Sequence, residues 1–159
     1  METRAGEIGI CPGAGPFYEA IVRRASEREC RTGNPPPDAG LVRYNLLEQK
    51  EANGEIARLT HAGRRVVAVG VLAGGALAGG ASHGYGVRVR LLQGLVRPDR
   101  TLAQAAVQFV LANESVSAAW VRVSTIDHLE EILSAPEAPS LTGRDLELIF
   151  ELWANRFEA

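Results

Sequence analysis

Lysine is nearly missing from this chain of 159 residues: of 17 basic residues, only Lys50 is not an arginine. Alanine and glycine are abundant beside it, a bias typical of GC-rich coding sequence, so a single arginine carries little functional weight. Net charge is also scant, at −2, which excludes the basic field that draws proteins to nucleic acid or anionic membranes. Cysteine occurs twice, as Cys11 and Cys30, with no CxxC spacing. Both are read as free thiols in a reducing cytoplasm. The longest apolar stretch, residues 66–81, is too short and glycine-rich to span a bilayer. The opening METRAGEIGI lacks the basic segment and apolar core of a signal peptide, so a cytoplasmic location is expected. Metal-ligand spacing, a P-loop, GxSxG and GxGxxG are missing too, and no metal is expected.

What is present suits one domain, residues 1–159, long enough to bury a core. Its organising stretch is RRVVAVGVLAGGALAGG, residues 64–80. The unbroken apolar run 66–69 fits a strand buried on both faces of a parallel sheet. Gly74, Gly75, Gly79 and Gly80 then allow backbone to approach a ligand closely. In α/β proteins binding occurs beyond the carboxyl ends of such strands.

Strands are expected at 7–10, 41–46, 65–72 and 115–121, each followed by a helix: 17–29, 48–61, 102–113 and 126–134. Residues 32–38, TGNPPPD, form a connection. Residues 82–100 read as irregular or weakly helical. Thr101-x-x-Gln104 is a capping box, and Ser124-x-x-Asp127 resembles a second helix start. A last helix, 142–157, carries an apolar stripe at Leu146, Ile149, Phe150 and Trp153. The alternation implies four parallel strands joined by right-handed crossovers. A four-stranded sheet leaves edges open near Ile8 and Ala118, so a homodimer is expected to cover them.

TLAQAAVQFVLANESVSAAWVRVSTIDHLEEIL, residues 101–133, closely resembles the seventh helix, eighth strand and eighth helix of aldo-keto reductases. LVRYNLLEQ, residues 41–49, resembles their sixth strand and following loop, and 66–80 their seventh strand and glycine-rich turn. EIGIC, residues 7–11, is a weaker match to the fifth strand. The pieces fall in family order. The resemblance implies half of an α/β (β/α)8 TIM barrel, completed by dimerisation. The family's catalytic Asp, Tyr, Lys and His belong to the other half, and nothing in this chain aligns with them.

The resemblance also implies changes in the NADPH site. Leu41 stands where the family carries a Gln near the nicotinamide, and Cys11-Pro12 replaces a Ser-Asn pair. Val121-Arg122 replaces a Pro-Gly, Ser124 the residue that grips the 2′-phosphate, and Ile132 the Asn near the adenine. No cofactor is therefore expected. A vestigial anion site at Gly74, Gly75 and Thr125 is what could remain.

Polar candidates at the carboxyl ends of the strands are Cys11, Tyr44, Asn45, Glu48, His83, Tyr85 and Arg122. His83 and Tyr85, in ASHGYG, could form an acid/base pair or simply an exposed loop. Tyr44 reads equally as a pocket or core aromatic. Arg122 could fork onto a carboxylate or phosphate, or lie in a dimer interface. Glu48 suits a helix amino-terminal acid as well as a base, and Cys11 a buried thiol as well as a nucleophile.

Three functions remain open. The first is a cofactor-independent enzyme that cyclises, dehydrates or isomerises a small organic substrate, in a biosynthetic setting. The second is a non-catalytic binding or assembly partner. The third is an NADPH-dependent oxidoreductase completed by another chain.

Overall fold

The structure, a computed structural model, describes residues 39–80 and 84–157. The expected strand 7–10, helix 17–29 and connection 32–38, with Cys11 and Cys30, lie outside the described residues, as does His83.

Three parallel strands form the sheet, in the order β1 (Ala39–Arg43), β2 (Arg65–Val69) and β3 (Ala118–Trp120). Helix α1 (Lys50–His61) connects β1 to β2. A 3-10 segment (Ala73–Ala78), α2 (Gly86–Leu91), a second 3-10 turn (Leu92–Leu95) and α3 (Leu102–Leu111) lie between β2 and β3. Helices α4 (Ile126–Leu133) and α5 (Gly143–Ala154) complete the described chain. The architecture is α/β, an open piece of a (β/α) barrel. Among the described residues no helix is long and apolar enough to cross a membrane, and no group of metal-binding side chains is assembled.

Strand β2 is the centre, with Val66 and Ala68 fully buried, as its unbroken apolar run requires. Val42, Ile56, Leu59, Val107 and Val110 pack around it, joining β1, α1 and α3 in one core cluster. A second cluster gathers Leu46, Leu47, Leu77, Leu92, Leu95, Leu102 and Ile149. Helix α1 closes at Gly63, whose φ of 69° lets the Arg64 amide turn back to the Leu59 carbonyl at 3.0 Å.

Gly40 shows how tightly α1 sits on β1. A Cβ there would lie 2.5 Å from Cδ1 and 2.7 Å from Cδ2 of Leu59, which is itself buried. Gly40→Ala is expected to cost about 1–3 kcal/mol through overpacking, read as a lower urea midpoint.

The capping box of α3 is present as its sequence implies. Thr101 Oγ1 accepts from the Gln104 amide at 3.1 Å, and Gln104 Oε1 accepts from the Thr101 amide at 2.9 Å. The start of α4 is corrected by one residue: Thr125, not Ser124, caps it, through the His128 amide at 3.2 Å. Within 82–100, the helical alternative holds for residues 86–91. The stripe on α5 is also corrected, because Leu146 and Phe150 are 45% and 74% exposed. Ile149 is the buried member, and Leu148, Leu152 and Trp153 pack beside it.

Candidate functional site

Strand β1 ends at Arg43 because Asn45 folds the chain back. Its Oδ1 accepts from the Leu47 amide at 2.8 Å, an Asx turn. Its Nδ2 donates to the Gly70 carbonyl at 3.0 Å and to Glu48 Oε2 at 2.8 Å. The fully buried Asn45 thereby ties the turn after β1 to the turn after β2, at the carboxyl edge of the sheet.

Glu48 is the hub of this edge. Oε2 is held by Asn45, while Oε1 accepts from the Tyr85 hydroxyl at 3.2 Å and lies 3.4 Å from Arg43 Nη1. Tyr85 comes from a position 37 residues away in sequence, at the start of α2. Burial raises its phenol pKa, and the Glu48 charge adds to that, while Arg43 and Arg88 pull the other way. The phenol therefore stays a protonated donor through neutral pH. Arg43 passes over Gly70, where a Cβ would meet its Cγ at 3.4 Å. Arg88 stacks over Phe157, 5.3 Å from the ring centre. A carboxylate, a phenol and two cations are thus gathered at one end of the sheet.

The other candidates lie apart. Tyr44 is buried against Phe109, their ring centres 5.3 Å apart, and burial raises its pKa while Asn113 lowers it. Arg122 follows β3, is exposed, and makes no ion pair or hydrogen bond among the described residues. A cavity of about 320 Å³ opens elsewhere, bordered by Leu77, Val89, Arg97, Leu102 and Glu131, and it contains neither Glu48 nor Tyr85.

The glycine turn closes on itself. The Gly75 amide donates to the Leu72 carbonyl at 2.9 Å, and the Gly80 amide to the Gly75 carbonyl at 3.0 Å. A Cβ on Gly80 would sit 2.9 Å from that same carbonyl, so this glycine serves the turn's own closure. Thr125 is occupied in capping α4, whose first turn carries Asp127, an unfavourable neighbour for an anion.

A parallel sheet with helical crossovers and a polar cluster at its carboxyl edge can be compared directly with solved structures. The holo form of aldo-keto reductase AKR11C1 from Bacillus halodurans superposes with a TM-score of 0.62 at 23% identity, over 84% of this chain. The chain shares part of the aldo-keto reductase fold. The apo form of the same protein gives 0.61, also at 23% identity, over 83% of this chain. This chain spans 44% of the holo chain and 47% of the apo chain, less than half of either. No protein-family profile and no curated protein matches the sequence.

Arg43 was not among the sequence candidates, and Glu48 was not paired with Tyr85. The signal available was Asn45, whose Asx-turn chemistry commits the chain to reverse immediately after the strand.

Proposed function

We propose that this chain is a cofactor-independent enzyme of aldo-keto-reductase fold, acting on a small organic substrate by proton transfer. Cyclisation, dehydration and isomerisation, in a biosynthetic setting, are the reactions in reach. The observation that carries this reading is the Glu48 carboxylate, oriented by Asn45 and hydrogen-bonded to Tyr85. Glu48 takes a proton from carbon and loses its charge, and the Tyr85 hydroxyl then turns its one proton from Glu48 to the oxygen on which charge develops. Arg43 and Arg88 favour a substrate bearing a carboxylate. Tyr44 and Arg122 lie apart from this site, and Cys11 and His83, outside the described residues, remain candidates from the sequence alone. The protein is proposed to act as a homodimer in the cytoplasm.

The residues present do not fit a dinucleotide. The Gly75 amide is taken up within its own turn, and Asp127 stands beside the Thr125 helix start. No step therefore runs through NADPH. Titration with NADPH, followed by the tryptophan fluorescence of Trp120 and Trp153, is expected to show no saturation below millimolar concentration. Submillimolar binding would favour an oxidoreductase completed by another chain instead. A non-catalytic assembly role is the second reading, supported by the separation of the cavity from the Glu48–Tyr85 pair. Deuterium incorporation next to the carbonyl of small 2-oxo acids, in D2O without cofactor, separates the two. Incorporation supports the enzyme, and its absence across the panel supports the assembly role.

A further inference from the structure

Among the described residues the outer side of β3 is an open sheet edge. The Ser117 amide donates inward to the Val66 carbonyl at 2.8 Å, so by alternation the N–H and C=O groups of Ala118 and Trp120 point away from β2. Among the described residues nothing pairs with them. An open edge of this kind is a template for another strand.

The helix that follows carries an apolar stripe facing solvent. Ile126, Leu129 and Leu133 are 72%, 42% and 67% exposed, at spacings of three and four residues that place them on one face. Ile132, on another face, packs against the core. The stripe is therefore not the helix's buried side, and a solvent-facing row of this kind is costly without a partner. With Trp120, 41% exposed, these side chains offer roughly 400 Å² of apolar surface.

That amount indicates the size of the occupant. A standard interface buries about 800 Å² per partner, of which about 57–65% is apolar, or roughly 450–520 Å². These side chains alone come close to the apolar share of one side of such an interface. We propose that β3 and the Ile126–Leu129–Leu133 face of α4 form a two-fold interface with a second copy of this chain. Across a two-fold axis β3 meets its own copy antiparallel, and α4 meets α4 through the same residues. Such an interface closes at two copies and leaves no further edge at β3 for growth. The proposal names the surface behind the homodimer suggested above. It does not depend on the proposed chemistry, because Glu48 and Tyr85 take no part in it.

Light scattering on the full chain at micromolar concentration tests it. The unaltered chain is expected at twice 17.0 kDa. Ile126→Glu with Leu133→Glu should weaken association at least roughly tenfold, with the circular dichroism of the folded chain retained. Should the double variant unfold, Leu129→Cys in a Cys11→Ser, Cys30→Ser background decides: oxidation should then link two copies by a disulfide. A monomeric unaltered chain overturns the proposal. So does a dimer that survives the folded double variant, or an unfolded double variant combined with no disulfide at position 129.

Discussion

Arg100→Ala will lower folding stability by about 3–5 kcal/mol, the range seen when one member of a buried ion pair is removed. Arg100 is 1% exposed, and all three guanidinium nitrogens are engaged. Nε and Nη2 donate to the Leu95 carbonyl, and Nη1 to the carbonyls of Pro139 and Ser140. Nη2 also reaches Asp145 Oδ2 at 2.9 Å. One side chain thus joins the turn before α3, the loop before α5 and the first turn of α5. Truncation strips three carbonyls of their donor and leaves Asp145 buried with less compensation. With a urea slope of ~1–3 kcal/mol per molar, the midpoint should fall by roughly 2 M.

Arg97 supplies the contrast. It also bonds Asp145, at 2.6 Å, but its side chain is 39% exposed, so Arg97→Ala should cost only about 1 kcal/mol. Equal losses in the two variants would defeat this account. Acid unfolding gives a second measure. Burial raises the Asp145 pKa, but the Thr142 amide and Arg100 outweigh it, so the net shift is downward from 3.8. A carboxyl with a lowered folded pKa contributes its full stability above the unfolded value, and loses it as pH falls through the folded one. Asp145→Asn should therefore flatten the stability decline below about pH 4.

These groups explain much of what was and was not legible in the residues alone. The polar letters at helix starts were informative, since Thr101 and Gln104 need only each other to form their box. Arg100 was not, because apart from Leu95 its partners come from 39 to 45 residues further along and tertiary folding alone brings them to it. Apolar letters located all three described strands but overran each of them, β2 by running on from Val69 to Leu72. Leu46 looks like a continuation of β1, yet it and Leu47 are buried within a turn, because Asn45 captures the Leu47 amide. Along α5 the period of the pattern is helical, but period does not choose the buried face. Trp153 Nε1, donating to the Leu46 carbonyl at 2.8 Å, helps fix the helix's rotation. Ile149 is then turned inward and Phe150 outward. At the site, Glu48 and Tyr85 were each visible as candidates. Their pairing was not, because the long connection between them gives no period from which to read it.

Glu48→Gln should reduce cofactor-free proton exchange by about 10²–10⁴-fold, the contribution of a positioned general base. Glutamine keeps the side chain's size and can still accept from Asn45 Nδ2, so stability should change by only about 1 kcal/mol. That separation is what makes the substitution decisive: a folded protein that has lost exchange has lost the base. Tyr85→Phe removes one donor from the developing oxyanion and should cost about 10²–10³-fold. Because its pKa is raised, Tyr85 keeps its proton as pH rises through neutrality, and the rate should show no fall attributable to it below pH ~10. Arg43→Ala should act differently, raising KM for carboxylate substrates more than it lowers kcat, since Arg43 binds rather than reacts. If Glu48→Gln exchanges deuterium as fast as the unaltered chain, Glu48 is not the base. The cluster at the carboxyl edge of the sheet would then be a structural clasp between the turns after β1 and β2, held by Asn45.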